Sequence, residues 1–529
     1  TEPLEISGPT AEGLAWTPAI TVSDYGTSTF AAVRGLPAEH VAFEYDGVPL
    51  NSLQNGLTDI ELFDVFDSQA TMMRGPFARL ATGRPAQASI SMRPAFPAPT
   101  SLSLSTGSRE ESARLAMRKG DVAFRLGFLA DEGYMDNTSA GGFGAEVAGR
   151  TPWGDVAVTY IDMDRDMPGP AGEFYFTGSQ QDRLVLARAG LERFGPVRPS
   201  FYGVSHEQDY RDPYHEPSHL MTSAGTIIDI DVERWLPGAV LTASYDYSQV
   251  DSSDPLNPDI GQHWRESSSV VASEVLESGD VMVAIEGAAM HTSDFGSALS
   301  GAVGVSRPHT DGRAWASVGT SWRAPTINEL YWPEDAWTAG NEDLDTERVL
   351  SMEAGLARRI GWFDGTVTTY ISWARDLIAW SQDALDGVYR PMNVGEARMS
   401  GVEVELEADL GPASVAYAGS FARARDTETD YALPYRPETT QWLALGLEAG
   451  RTRSELRLRQ QSDVFTDAAQ GGKLDGFSII DFSTELDLPV EGTALRFDAS
   501  NILNEHYELR NGYRMPLREW SLALMVGVD

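Results

Sequence analysis

The sequence contains no cysteine, only two lysines (Lys119 and Lys473) among its 40 basic residues, and no long apolar run. Without cysteine, the chain can form neither a disulfide framework nor a thiolate metal site or nucleophile. A formal net charge of -38 leaves no basic footprint for phosphates, which excludes nucleic acid as a partner. No stretch of about 18 apolar residues occurs, so the sequence predicts no transmembrane helix.

From about residue 99 onward the sequence alternates with a period of two. Runs such as "ARLAMRKGDVAFRLGFLAD" and "STELDLPVEGTALRFDAS" place two alternating segments around a Gly, Pro or Asp turn, which predicts β-hairpins. Longer polar, aromatic-rich stretches separate the hairpins, at residues 133–142, 170–180, 211–219, 252–264 and 331–347. Short turns alternating with long loops are typical of an outer-membrane barrel, whose strands are apolar only at every second position.

Pairing every run gives about 22 strands, one per roughly 20 residues. In "VEVELEAD", the apolar Val402, Val404 and Leu406 share one face and the glutamates between them share the other. A soluble β-sandwich would also alternate, but mixed-sign alternation for hundreds of residues without a domain break favours lipid outside and a charged lumen inside. The sequence therefore predicts an all-β fold, a transmembrane antiparallel β-barrel of about 22 strands over residues 99–529.

Residues 1–98 do not follow this rhythm and are predicted to form a small N-terminal plug domain in the lumen. A barrel of about 22 strands would otherwise enclose an open channel. The plug segment contains two Arg-Gly steps, at residues 34–35 and 74–75, and an Asp-Gly hairpin turn at residues 46–47. Glycine lets the backbone turn immediately after each arginine.

Several motifs follow one another in order: "AAVRG", "YDGVPLN" and "RGPFARLATG" in the plug, then "SWRAPTINELY", "LDTERVLSMEAG", "YRPMNVGEARMSGVEVE" and "DASNILNEHYELRNGYRMPLREWSLAL" in the barrel. Together they resemble the TonB-dependent outer-membrane receptors over nearly the whole chain, and the compact loops look most like those of cobalamin and smaller siderophore receptors. The resemblance implies the outer membrane of a Gram-negative-type bacterium, contact with its lipid, and a TonB-type energy-transducing partner. It implies a transporter for a ferric siderophore or a cobalamin-like compound and not an enzyme, and the sequence shows no catalytic constellation.

The resemblance also assigns a plug–barrel latch. In the family, two plug arginines meet two barrel glutamates; matched position by position, these are Arg34 and Arg74 opposite Glu353 and Glu403. Buried arginines can pair bidentately with carboxylates, but such pairs offset their desolvation only when fully satisfied. The alternative is that each residue is one lumen charge among many.

The start of the plug departs from the family pattern. The stretch before Arg34 is shorter than in a family plug, and "LEIS" at residues 4–7 is only a faint candidate for an energy-coupling segment. Pro-Ala-Gln at residues 85–87 stands where the family has Gly-Gly. This shortened N-terminal plug keeps a second function open: a receptor-derived barrel without energy coupling, serving as a structural or assembly component of an outer-membrane complex with other outer-membrane proteins.

Aromatic side chains in the longest predicted loop form a candidate ligand site. Tyr331, Trp332 and Trp337 could stack on a planar ligand. The alternative is an aromatic girdle at the lipid interface.

A second loop combines imidazole and carboxylate side chains. His206, His215 and His219, with Asp212, are candidate ligands for a transition metal, and the loop carboxylates are candidates for a calcium ion. Their spacing matches no defined metal site, so a solvated polar loop is the alternative.

Overall fold

The computed structural model describes residues 4–6, 10–17, 19–78, 86–95, 100–135, 137–170, 178–234, 236–335, 337–382, 388–393 and 395–528. Their regular structure is almost entirely β-strand, arranged as one closed barrel around a small N-terminal unit, residues 4–95, here called the plug. The predicted boundary between residues 98 and 99 lies outside the described residues. Within the described part of the chain, none of the helices combines the length and apolar character needed to cross a bilayer.

The plug is a small mixed α/β unit dominated by short strands. Its elements are β1 (Leu4–Ile6), α1 (Thr10–Ala15), β2 (Ile20–Asp24), β3 (Thr29–Val33), a 3₁₀ turn at Ala38–His40, β4 (Val41–Tyr45), β5 (Val48–Pro49), a 3₁₀ turn at Glu61–Phe63, β6 (Ser68–Arg74) and β7 (Ala88–Pro94). Five strands form a mixed sheet in the order β1-β6-β7-β4-β5, with a separate β2–β3 hairpin. Between β4 and β5, Asp46 and Gly47 both have positive φ (50° and 80°). An Asp-Gly hairpin turn requires this geometry, so the turn forms as the sequence predicts.

The barrel consists of 22 antiparallel strands. They are β8 (Thr100–Gly107), β9 (Glu110–Lys119), β10 (Val122–Asp131), β11 (Ala140–Thr151), β12 (Gly154–Met167), β13 (Gly178–Leu191), β14 (Val197–Arg211), β15 (Ser218–Asp231), β16 (Ala239–Ser253), β17 (Gln262–Ser278), β18 (Val281–Thr292), β19 (Gly296–His309), β20 (Gly312–Arg323), β21 (Glu347–Ile360), β22 (Phe363–Arg375), β25 (Glu396–Asp409), β26 (Ala413–Asp426), β27 (Thr439–Ala449), β28 (Thr452–Gln461), β31 (Phe477–Asp487), β32 (Thr493–Ser500) and β35 (Glu519–Val528). Successive strands pair, and β35 closes the barrel on β8, with Ser521 opposite Gly107. The predicted barrel fold is confirmed.

The barrel faces are inverted relative to a soluble protein. On β25, Val402 is 39% exposed, whereas the neighbouring Glu403 is 2% exposed. Asp182 and Glu347 are likewise buried, while apolar side chains such as Leu299 are exposed. This follows from lipid outside the barrel and a plug inside it, because the outward side chains must be apolar and the inward ones can be charged.

The connections differ at the two barrel ends. One end has tight turns, at residues 120–121, 279–280, 361–362 and 450–451, and the other has loops as long as residues 324–346. The long-loop end also carries α2 (Ile327–Tyr331) and three hairpins: β23 (Ile378–Gln382) with β24 (Tyr389–Asn393), β29 (Val464–Phe465) with β30 (Lys473–Leu474), and β33 (Glu508–Arg510) with β34 (Tyr513–Arg514). The predicted long loops all fall at this end; within them, residues 136, 171–177 and 336 lie outside the described residues.

The largest hydrophobic cluster joins the plug to one side of the barrel. It contains Phe43, Tyr45, Ile60, Phe63, Met72 and Ile90 from the plug, and Leu129, Ile161, Met163, Leu184 and Leu186 from the wall. Leu36 packs against a second apolar cluster on β21, β22, β25 and β26. Buried ion pairs between plug and wall lie beside it, and these define the candidate site.

Candidate functional site

Arg34 lies at a sharp turn directly after β3. Both Arg34 and Gly35 have positive φ (52° and 83°), and the arginine side chain extends from the plug to the barrel wall. Its Nε and Nη2 donate to Oε1 and Oε2 of Glu403 at 2.8 Å each, and its Nη1 donates to Oε2 of Glu353 at 2.9 Å. The guanidinium also lies 4.6 Å from the ring centroid of Tyr370, within cation–π range.

Arg74, the last residue of β6, reaches the same carboxylate from another part of the plug. Its Nη1 lies 3.2 Å from Oε2 of Glu403, and its Nη2 donates to Oε1 of Glu405 at 2.9 Å. Glu405 was not among the predicted residues. It follows Glu403 by two positions on β25 and therefore faces the same way, and this periodicity is the signal that could have found it.

The structure thus brings all four predicted residues into one buried cluster, here called the latch cluster: Arg34, Arg74, Glu353 and Glu403. The side chains of Arg34 and Arg74 are 7% and 9% exposed, and that of Glu403 is 2% exposed. Burial lowers the pKa of Arg34, but Glu403 and Glu353 outweigh it and raise the pKa above its usual value, so the guanidinium stays charged. Charges this far from water are stable only when paired and hydrogen-bonded, as they are here.

The glycine of the second Arg-Gly step makes room for this cluster. Gly75 has a φ of 83°, and a Cβ there would lie 2.4 Å from Oε2 of Glu353. Any other residue would strain the backbone and displace the carboxylate. Glycine after the arginine therefore has two roles: it adopts a positive φ, and its lack of a Cβ leaves room for the Glu353 carboxylate.

A second set of plug–wall contacts centres on a fully buried carboxylate. Glu347, the first residue of β21, lies 2.5 Å from Nε2 of His40 in the plug and accepts from Nε and Nη2 of Arg323 at 2.7 and 2.9 Å. Arg323 also donates to both oxygens of Glu329 at 3.0 Å, and Glu329 forms a capping box with Thr326 at the start of α2. Arg323, Glu329 and Glu347 lie in motifs shared with the receptor pattern, but the sequence alone does not show that they meet His40.

Gln87, one of the residues that replace the family Gly-Gly, bridges the plug and the wall. Its Nε2 donates to Oγ of Ser321 at 2.5 Å, and its Oε1 accepts from Oγ of Ser351 at 2.6 Å. Position 85 of the same motif lies outside the described residues.

The long loop before β21 lies directly over the plug. The backbone N–H groups of Ile327 and Asn328 in α2 donate to the carbonyls of Leu53 and Gln54 at 3.2 and 2.8 Å. The plug loop at residues 50–58 is therefore held by main-chain hydrogen bonds to a barrel loop.

Beside this plug loop lies a cavity of about 390 Å³ between the plug and the wall, within the size range of small-molecule sites. From the plug it is lined by Tyr25, Ser28, Phe30, Pro49, Leu50, Asn51, Ser52, Leu53, Gln54, Asn55, Leu57, Thr58, Asp59, Leu62 and Phe63. The barrel and its loops contribute Met167, Pro168, Gln180, Leu184, Val204, His206, Gln208, Met221, Thr222, Ser223, Ser248, Gln249 and Tyr513. The cavity is not visible in the sequence, because its lining comes from segments hundreds of residues apart.

The predicted loop aromatics do not line this cavity. Tyr331 stacks on His263 with ring centroids 3.8 Å apart, and Trp332 packs edge-on to Trp380 at 6.2 Å. Trp337 is 78% exposed. Their predicted ligand role stays a prediction.

The predicted metal ligands are not assembled into one site. His206 contacts Asp182 at 2.8 Å, His215 contacts Asp212 at 3.2 Å, and His219 contacts Ser252 at 2.7 Å. Among the residues that the structure describes, no group of three or more His, Asp and Glu side chains is placed to hold a metal ion. The polar side chains instead satisfy one another, and of the three histidines only His206 lines the cavity.

Comparison with known proteins assigns this architecture to a protein family. The family model described as "TonB dependent receptor-like, beta-barrel" matches residues 99–502. The chain belongs to this receptor family. Vitamin B12 transporter BtuB of Photobacterium profundum is 26% identical over 208 residues, which are 39% of this chain and 34% of that relative. The match thus spans only about a third of the relative's length.

Solved structures of siderophore receptors and of a copper transporter share the fold along nearly the whole chain. A mutant of the ferric enterobactin receptor PfeA from Pseudomonas aeruginosa has a TM-score of 0.81 at 13% identity, covering 99% of this chain and 98% of that one. The siderophore receptor PirA from Acinetobacter baumannii has a TM-score of 0.78 at 13% identity, covering 98% and 95%. The copper transporter OprC has a TM-score of 0.81 at 14% identity, covering 99% and 98%.

As a TonB-dependent receptor, the protein resides in the outer membrane of a Gram-negative bacterium, with its strands spanning the lipid. The predicted family, fold and location are confirmed. The family comprises receptors and transporters and not enzymes.

Proposed function

We propose that this protein imports a scarce chelate or cofactor across the outer membrane, a ferric siderophore or a cobalamin-like compound, using energy from a TonB-type partner. The observation that carries the proposal is the latch cluster, which fastens the plug to the wall through ion pairs. In a buried ion pair, the free-energy cost of removing the charges from water is offset by their attraction in a similar amount. Separating such a pair and hydrating both charges therefore has a small net cost. Such a contact suits a plug that must both seal the lumen and move.

The cavity supplies the place for a ligand. It lies against the plug loop that α2 holds by main-chain hydrogen bonds. A ligand bound there touches the plug and the wall together, so its binding energy differs between a seated and a displaced plug. A difference of this kind is what couples a ligand to a conformational equilibrium.

The partner's pull has a direct path to the latch cluster. β1 pairs antiparallel with β6, with Leu4 opposite Met72 and Ile6 opposite Ala70. The strand β6 ends at Arg74, so force applied to β1 acts on the strand that carries a latch arginine. Residues 4–6 of the candidate energy-coupling segment form this strand, and residue 7 lies outside the described residues.

Uptake in cells tests the proposal. A Gram-negative host lacking its own cobalamin and hydroxamate receptors would produce the protein and receive radiolabelled cyanocobalamin or ferrichrome. We expect uptake of a probe that disappears when the host's TonB-type protein is deleted or the proton-motive force is collapsed.

A control substitution away from the plug is Arg359→Ala, which removes an exposed ion pair to Asp364. It should leave uptake unchanged. Absence of energy-dependent uptake of either probe, together with stable copurification of other outer-membrane proteins, would favour the non-transporting structural role instead.

A further inference from the structure

The cavity between plug and wall has an unusual charge composition. Among the residues that the structure describes, its lining contains no arginine or lysine, and its ionisable side chains other than tyrosine are Asp59 and His206. Recognition of an acidic chelate or phosphate in proteins relies on arginine or lysine, which donate to the anion and balance its charge. The described lining offers no such group.

The charged residues at the cavity edge are already engaged with one another. Arg165, 1% exposed, donates Nη1 to Asp59 and Nη2 to Asp182 at 2.5 Å each. Asp182 in turn lies 2.8 Å from Nε2 of His206 and accepts from Gln180 and Gln208 at 2.9 and 3.1 Å. Both terminal nitrogens of the Arg165 guanidinium therefore already contact carboxylates, which balance its charge.

The rest of the lining suits an uncharged ligand with both polar and apolar faces. Amide and hydroxyl side chains come from the plug loop and from β13 to β16, and apolar contact comes from leucine, methionine and aromatic side chains. The polar members include Ser52, Gln54, Asn55, Thr58, Gln180, Gln208, Ser223 and Ser248. Groups of this kind donate to and accept from amides and hydroxyls without requiring a charge.

The barrel end that carries the long loops adds a repulsive field for anions. Carboxylates of that end are exposed, including Asp259, Glu334, Asp335, Glu342 and Asp343, and the whole chain carries a formal charge of -38. Fields of this sign lower the local concentration of anions and raise that of cations, more strongly at low salt. The electrostatic field of this barrel end and the lining of the cavity thus both disfavour anionic ligands.

We propose that the cavity binds a ligand without net negative charge, recognised through amide and hydroxyl groups and an apolar face, and that it rejects polyanionic chelates. This deepens the proposed import function and rests on it. Within the general group of chelates and cofactors, it assigns neutral and cationic molecules, such as hydroxamate-type iron complexes or amide-bearing corrinoids, to this receptor.

Binding to the purified full chain in detergent tests the ligand class. The probes are ferrichrome (neutral), ferrioxamine B (cationic) and ferric enterobactin (polyanionic), measured by calorimetry or tryptophan quenching at low and high salt. We expect at least one of the first two to bind about tenfold or more tightly than ferric enterobactin, with a smaller ratio at high salt.

A charge-adding variant at the cavity wall localises the effect. Ser223→Arg places a cation on β15 at the cavity, and Ser223→Gln adds bulk there without charge. The arginine variant should improve ferric enterobactin binding about tenfold and weaken ferrioxamine B binding, while the glutamine variant should leave the ratio of the two affinities unchanged. Thermal unfolding of both variants checks that each is folded.

Three outcomes overturn the proposal: ferric enterobactin binding the parent as tightly as the other probes, no binding of the neutral or cationic probes, or identical probe ratios in the two Ser223 variants. The import proposal fails separately. If the purified protein ranks the probes as expected but cells show no energy-dependent uptake, the ligand class stands and the transport function does not.

Discussion

Arg34 and Glu403 form two parallel hydrogen bonds, Nε to Oε1 and Nη2 to Oε2, each 2.8 Å long. The residues are 369 positions apart in the chain, one on the plug and one on the barrel wall. Parallel pairing of a guanidinium with a carboxylate is demanding in direction as well as favourable in energy. The pair therefore exists only when the plug is seated, and its loss should be visible as plug movement.

Removing this guanidinium should loosen the plug before the barrel. Arg34→Ala takes away the cation that Glu353 and Glu403 both face, at a cost of about 3–5 kcal/mol where the site is dry and less where water enters. We expect higher conductance of the reconstituted barrel in planar bilayers and faster hydrogen exchange in plug strands than in barrel strands. Arg74→Ala should act in the same direction. Variants that stay as tightly closed as the parent would show that these arginines do not latch the plug.

The two glutamates of β25 that contact the plug should differ in their effect. Glu403 faces both plug arginines and is 2% exposed, whereas Glu405 contacts Arg74 alone and is 26% exposed. Glu403→Gln should therefore destabilise plug seating more than Glu405→Gln, because the water-accessible carboxylate loses more of its interaction to screening. Hydrogen exchange of β6 in the two variants compares them, and an equal effect would contradict the central place of Glu403.

Two plug glycines with nearly equal backbone angles separate strain from crowding. Gly75 and Gly47 have φ of 83° and 80°, but a Cβ at 75 would meet Glu353 at 2.4 Å, and one at 47 would meet nothing within 4 Å. Gly47→Ala should cost about 1 kcal/mol from backbone strain alone. Gly75→Ala should cost more and should also raise conductance. Similar losses in plug stability for both variants would mean that the Glu353 carboxylate moves aside easily.

Acidic pH should stabilise the plug through Asp24. Burial is the main reason that the pKa of Asp24 is raised from 3.8 to about 6. The folded plug thus holds the proton more tightly than the unfolded chain, and stability rises as the pH falls from about 6 to 3.8. The gain is up to about 3 kcal/mol. Burial, with the charge of Asp24, also raises the pKa of Glu61, which acts in the same direction.

Asp24→Asn is the control for this pH effect, because it keeps the acceptor for the N–H of Gly26 and removes the titration. Plug unfolding followed by hydrogen exchange between pH 4 and 7 should show a weaker pH dependence in the variant. If parent and variant have the same dependence, other groups determine it.

The absence of cysteine allows the orientation in the membrane to be tested with single-cysteine variants. Glu334→Cys lies in the longest loop and Asp280→Cys in a tight turn at the opposite barrel end. In whole cells a membrane-impermeant maleimide should label only Glu334→Cys, and after lysis it should label both. This follows from the prediction that the long loops lie outside the cell and the tight turns on the periplasmic side. Labelling of Asp280→Cys first would contradict that prediction.

The barrel was predictable from the sequence because its cause is local. Lipid outside the wall requires an apolar side chain at every second position, so strands, tight turns and an approximate strand number can be counted along the chain without knowing any contact. The resemblance to known receptors added the pairing of Arg34 and Arg74 with Glu353 and Glu403. Period-two alternation then placed Glu405 on the same face as Glu403, although nothing in the sequence showed that Arg74 would reach it.

Only the tertiary structure decided which polar groups meet across the lumen. Three features depend on how the plug is rotated and on the register of strands far apart in sequence. They are the contact of His40 with Glu347, the bridge made by Gln87, and the cavity whose described lining lacks arginine and lysine. The three histidines were predicted to share one loop, but His206 lies on β14, His219 lies on β15, and only His215 lies in the connection between them. Each therefore has a different partner, because strand register and not sequence spacing sets their distances. The lipid requirement acts on each strand residue separately and can therefore be recognised in the sequence. The plug–wall contacts and the ligand cavity form only when the plug and the wall pack together.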